Sequence, residues 1–81
     1  MTKREQLAKA LIALASEHGV PNGVTPGELS LHTDLRPSDI GRLVAGERIA
    51  LNELLSEKGI RISGYDRDAS GRSWIRLAAV E

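Results

Sequence analysis

Seven of the eight cationic side chains between residues 36 and 76 are arginine: Arg36, Arg42, Arg48, Arg61, Arg67, Arg72 and Arg76. A guanidinium is planar, permanently charged and carries a fork of N–H donors that matches phosphates and the edges of bases. The chemistry these residues offer is anion recognition rather than bond making. Residues 36–76 hold eight basic against six acidic side chains, whereas residues 1–35 hold three against four. The whole chain balances 11 basic against 11 acidic residues, which counts against a partner held by bulk charge alone. A second account of the bias stands beside the first: arginine is the habitual cation of some genomes. Abundant Ala, Leu, Gly and Arg, with no Phe, is a composition of GC-rich bacteria and their phages.

Catalytic and metal chemistry find little to work with. Cysteine is absent, so neither a disulfide framework nor a thiolate metal site can form. His18 and His32 alone make a poor metal site. His18 falls in the last turn of a helix, where a cation suits the dipole. No nucleophile elbow, phosphate-cradling glycine loop or pair of cleft carboxylates is present. The expectation is a non-enzymatic protein with no cofactor and no metal.

The elements that must position the arginines are marked by start and stop signals. Thr2-Lys3-Arg4-Glu5 is a capping box, and Leu7, Ala8, Leu11, Ile12, Leu14 and Ala15 recur at helical spacing up to Gly19. Helix 1 is expected over about 2–18, followed by a loop at Val20-Pro21-Asn22-Gly23. Thr25-Pro26-Gly27-Glu28 repeats the start signal with proline at the first helical position, opening a short helix over 26–32 that buries Leu29 and Leu31. Pro37 opens a third, with Asp39 near the positive end of the dipole. Ile40, Leu43, Val44, Leu51, Leu54 and Leu55 then keep helical spacing to Lys58, interrupted at Gly46 and Glu47. Either one kinked helix over 37–58 or two helices meeting at Gly46 fits, and the cost of glycine inside a helix favours two.

Gly59 stops the helical part. Ile60-Arg61-Ile62-Ser63 alternates with period two, Asp66 to Arg72 is a polar turn, and Ser73-Trp74-Ile75-Arg76-Leu77 alternates again. A β-hairpin is expected over about 60–80. At 81 residues the chain is read as one domain, 1–81, of α+β class and mainly α.

In this order of elements the chain resembles the winged helix-turn-helix domains, a nucleic-acid-binding family in which a hairpin wing follows the recognition helix. The resemblance covers nearly all of residues 2–80 and is one of element order, not of a diagnostic motif. ALNELLSEKGIRI followed by GYDRDASGRSWIRL is also similar to winged-helix segments of phage and plasmid primase-helicase proteins. The resemblance implies that the helix after the turn enters the major groove and that the wing lies along the backbone or minor groove.

Two starts compete for the recognition helix, because the run from helix 2 to Gly59 is longer than in compact members of that family. A start near Pro37 turns Arg36, Ser38 and Arg42 toward DNA; a start near Glu47 turns Arg48, Asn52 and Glu53. Arginine with guanine and asparagine with adenine are the pairings groove geometry favours, although both residues are ordinary on a solvated helix face. On the wing, Arg67 and Arg72 flank the tip, and Arg61 and Arg76 occupy outward strand positions, an arrangement suited to phosphates. Local ion pairs with the interleaved Asp66 and Asp68 are the alternative. Trp74 either stacks on a base or caps the core, and packing is the expected use.

The leading expectation is a DNA-binding transcriptional regulator or replication accessory factor, with double-stranded DNA as partner, cytoplasmic and nucleoid-associated. The competing one is a winged-helix module that binds a protein and no nucleic acid, supported by any exposed apolar patch around Trp74, Val80 and Leu77-Ala78-Ala79. A homodimer through the small residues Ala8, Ala10, Ala13 and Ala15 of helix 1 is a further expectation. No apolar run approaches the roughly 20 residues that span a bilayer.

Overall fold

The first helix begins where its own sequence closes a ring of hydrogen bonds. In the computed structural model, which describes residues 2–18 and 23–80 apart from the side chain of His18, the Glu5 amide donates to Thr2 Oγ1 (3.1 Å) and the Thr2 amide donates back to Glu5 Oε1 (3.0 Å). Two N–H groups that a helix start leaves without partners are thereby satisfied. α1 runs Lys3–His18 and buries Leu7, Ala8, Ala10, Leu11 and Leu14. Ala8 and Ala10 therefore belong to the core of the protomer, and the alanine stripe expected to pair two copies is not open there. The expected stop at Gly19, the loop at 20–22 and the placing of the His18 side chain lie outside the described residues.

α2 is Pro26–Ser30, with Thr25 Oγ1 accepting from the Glu28 amide at 3.1 Å. It ends earlier than its periodicity implied. The Thr33 hydroxyl donates to the Leu29 carbonyl (3.2 Å) and accepts from the Leu35 amide (3.1 Å), which closes the turn and lets Leu35 dip into the core. This turn throws Leu31 outward. Expected to be buried, Leu31 is 83% exposed.

α3 spans Pro37–Gly46 and α4 spans Arg48–Ser56. The run expected over 37–58 is thus two helices, and the junction is Glu47, at φ −125° and ψ 30°. Hydrogen bonds still cross it, from the Glu47 amide to Leu43 O (2.8 Å) and from the Leu51 amide to Glu47 O (3.0 Å). The bend is held from outside: Arg4 Nε donates to Glu47 Oε1 at 3.0 Å, tying the start of α1 to the junction.

Gly59, at φ +75°, occupies the left-handed region where a helix gives way to the next element, a conformation that side chains with a Cβ rarely adopt. Strand β1 (Ile60–Arg67) and β2 (Ser73–Ala79) then pair antiparallel. Ile62 faces Leu77 and Ile60 faces Ala79, but a bulge between Ile62 and Gly64 shifts the register so that Tyr65 pairs with Ile75 and Arg67 with Ser73. Paired residues share a face of the hairpin. The extra residue keeps Tyr65 and Arg67 on the inner side, where strict alternation from Ile60 would have turned them out. β1 therefore continues through Asp66 and Arg67, which had been expected in the turn. Val24 adds an isolated bridge on the other side of β2, with hydrogen bonds to Ile75 of 2.9 and 2.7 Å.

One core joins all the elements: Leu7, Leu11 and Leu14 from α1, Leu29 from α2, Ile40, Leu43 and Val44 from α3, Leu51 and Leu55 from α4, and Ile60, Ile62, Ile75 and Leu77 from the hairpin. Burying each of these large side chains stabilises by about 1.5–3 kcal/mol. The described residues form a small α+β fold, mainly helical, with four helices and a C-terminal two-stranded hairpin in a winged-helix-like layout. No helix among the described residues is long and apolar enough to cross a membrane.

Candidate nucleic-acid interface

α3 presents one side to the core and the other to solvent. Ile40, Leu43 and Val44 are buried, whereas Ser38 and Arg42, four residues apart and so on one face, are exposed. Gly41 lies beside them. A Cβ on Gly41 would stand 2.9 Å from the Tyr65 hydroxyl, so the wing approaches α3 at a position that has no side chain. This contact sets the angle between helix and wing. Between them opens a groove of about 690 Å³, lined by Pro26, Gly27 and Glu28 of α2, Pro37 and Ser38 of α3, and Tyr65, Arg72 and Ser73 of the hairpin.

The first turn of α3 is left open toward this groove. Its N-cap is Arg36, whose side chain makes no capping bond, and proline follows at the first helical position. The positive end of the helix dipole favours an anion nearby, and Asp39 in this first turn already supplies one, with Glu28 across the groove.

The arrangement of charge on the wing follows from who accepts from whom. Asp66 Oδ2 accepts from Arg76 Nε at 2.9 Å. Asp68 accepts from the Ser70 hydroxyl and amide, the Arg72 amide and the Trp74 indole N–H. Donation by the Ser70 hydroxyl, then by the Trp74 indole and the Arg72 amide, holds the Asp68 carboxyl well below the usual carboxylate range. Asp66 is paired with Arg76; the donors to Asp68 are all neutral, so Asp68 keeps its negative charge at the wing tip but forms no ion pair with Arg67 or Arg72. Among the described residues, the arginines in ion pairs are Arg4, with Glu47, and Arg76, with Asp66. Arg36, Arg42, Arg61, Arg67 and Arg72 are exposed and in no such pair.

The nine residues picked out in the sequence divide accordingly. Ser38 of α3 and Arg72 of the wing line the groove. Arg36 and Arg42 are exposed at the start and on the solvent face of α3, and Arg67 is exposed opposite Ser73, none of the three among the lining residues. Arg61 pairs with Ala78, and Arg76 with Gly64, on the outer face of the hairpin. Arg48 is half-buried at the start of α4, with its Nε enclosed and without a hydrogen-bond partner, and lines a separate cleft with Ala45, Ile49 and Glu53. Asn52 faces the strand: its Oδ1 accepts from the Ile62 amide at 2.7 Å. Neither comes to the α3–wing groove, because α4 is packed between α1 and β1. Trp74 is half-buried on the outer face, its ring over Gly23 and its N–H on Asp68 Oδ2 at 2.8 Å, so it packs and braces.

Tyr65, Ser73 and Gly41 line or shape the groove and were not anticipated. Gly41 carries a readable signal, since a glycine within a helix needs a reason, and close approach of another element is one. Gly64 is a second, because glycine inside a strand marks bulges. Nothing local marks Tyr65 as inward. No group of three or more His, Asp or Glu among the described residues is placed to hold a metal ion.

Comparison with protein-family models, with curated proteins and with solved structures finds no match to this chain.

Proposed function

We propose that this protein binds double-stranded DNA, with α3 entering the major groove and the wing lying along the phosphate backbone. The observation that carries the reading is the set of exposed arginines in no ion pair on α3 and the wing: Arg36 and Arg42 on the helix, Arg67 and Arg72 at the wing tip, with Arg72 and Ser38 lining the groove between the two elements. Ser38 and Arg42 are the residues to meet base edges, and Arg67 and Arg72 the residues to meet phosphates. A net charge of zero suits a protein that binds through one local surface. No catalytic step belongs to this reading; transcriptional regulation and assistance to replication are the roles it fits.

The test is a titration of isotope-labelled protein with a short mixed-sequence duplex, followed by amide shifts at low and then near-physiological salt. Shifts over residues 36–42 and 65–73 that fade with salt are expected, since each neutralised phosphate contributes a slope of about −0.9 in log affinity against log salt. Absence of shifts at low salt defeats the proposal.

A second reading draws on two exposed aliphatic side chains, Leu31 at 83% and Ile49 at 80%. Leu31 lines the α3–wing groove and Ile49 a separate cleft beside α4, so a protein partner would meet them at two places. Of the patch expected around Trp74, Val80 and Leu77-Ala78-Ala79, Leu77 is buried and Trp74 and Ala78 are half-buried, whereas Ala79 and Val80 are exposed. Shifts confined to Leu31 and Ile49 on adding a partner protein, with none from duplex, select this second reading.

A further inference from the structure

Asp68 accepts four hydrogen bonds, from Ser70 N (3.0 Å), Ser70 Oγ (2.6 Å), Arg72 N (3.0 Å) and Trp74 Nε1 (2.8 Å). Its own amide donates to the Arg72 carbonyl at 2.9 Å, so the backbone of Arg72 is held on both sides by one residue. Arg67 precedes Asp68 directly and pairs with Ser73, the neighbour of Arg72. The Trp74 ring, lying over Gly23, anchors the assembly to the body of the molecule beside the Val24 bridge. A hairpin tip with exposed residues on every side would otherwise sample many conformations, and ordering flexible side chains on binding costs affinity.

We propose that Asp68 is the positioning residue of the wing: its carboxylate clasps the tip in the conformation that presents Arg67 and Arg72 beside the groove, so that a negative charge at the interface strengthens binding to a polyanion. The proposal rests on the DNA-binding reading and adds to it a residue that touches no DNA. Its sign is opposite to that of simple electrostatics. Deleting a carboxylate beside phosphates should tighten binding through charge alone, whereas loss of the clasp loosens it.

The experiment measures affinity for a labelled mixed-sequence duplex by anisotropy, for the wild type and for Asp68→Ala, Asp68→Asn and Trp74→Phe. Asp68→Ala weakens binding about tenfold, the scale set by leaving two long side chains to be ordered on binding. Asp68→Asn keeps one oxygen for the Ser70 and Arg72 donors and loses the acceptor for Trp74, so its loss is smaller. Trp74→Phe, with the carboxylate intact, resembles Asp68→Asn. When Arg67 and Arg72 are both alanine, Asp68→Ala has no further effect, which a general loosening of the fold would not produce. The indole N–H resonance of Trp74 moves in Asp68→Ala without DNA, while amide shifts of α1 and α4 stay in place. Wild-type binding with Asp68→Ala equally tight or tighter overturns this proposal alone; a wild type that binds no duplex removes the DNA-binding reading and this proposal with it.

Discussion

α3 and α4 are consecutive helices of 10 and 9 residues joined through one bent residue, and each opens beside an arginine. Their polar residues have different fates. α4 is enclosed by α1 on one side and β1 on the other, so Asn52 is turned to the strand and satisfies the Ile62 amide. The wing approaches α3 at Gly41, and the solvent face of α3 keeps Ser38 and Arg42 uncommitted. Arginine or asparagine near a helix start is the same signal in both segments. What separates a fold-supporting residue from one available to a ligand is whether a further element packs over that face.

The contrast can be broken at several points. The largest effect belongs to the α4 core: Leu55→Ala should destabilise by about 2–5 kcal/mol, because Leu55 is fully buried and the surrounding helices cannot close the cavity. Chemical denaturation reads this directly. A loss below about 1 kcal/mol would mean that α4 is not the packed helix described.

Asn52→Ala leaves the Ile62 amide without its acceptor and should cost about 1–3 kcal/mol of stability. Duplex affinity of the folded protein should stay unchanged. A variant of full stability and reduced affinity would place Asn52 on DNA and reverse the comparison.

Arg42→Ala gives the converse pattern. Exposed and in no ion pair, Arg42 contributes no more than about 0.5 kcal/mol to stability, and its removal should weaken duplex binding about tenfold, within the range of a single base or phosphate contact. Unchanged affinity would take α3 out of the interface.

The smallest effect concerns acid. The Asp68 pKa is lowered in the folded protein, so whatever its clasp contributes is fully present above the ordinary value of 3.8 and is lost only as pH falls through the lower folded value. The Trp74 indole resonance should therefore hold its position as pH is brought down to 3.8. A shift centred near 3.8 would show that the clasp is not formed.

Element types and most boundaries were readable along the chain. The Thr2–Glu5 capping box, the Thr25 cap with Pro26 behind it, Pro37 at the head of α3 and Gly59 at the close of α4 act through hydrogen bonds and dihedral limits within four residues. Such signals need no partner from elsewhere in the fold. Of the nine candidate residues, Ser38 and Arg72 line a common groove, and Arg36, Arg42 and Arg67 are exposed on α3 and near the wing tip.

Everything that selected among the nine came from contacts between distant segments. The bulge at Ser63 is defined against β2, and it alone turns Tyr65 and Arg67 inward. The use of Asn52 follows from β1 returning beside α4 ten residues later. Val24 pairs with Ile75 across the chain, and Asp68 finds Trp74 across the hairpin tip. Hydrogen-bonding capacity is a property of each residue type, but its allocation depends on which donors and acceptors the closed core brings within about 3 Å of one another. Local sequence sets where helices start and stop; the packed core decides which side chains remain open to a partner.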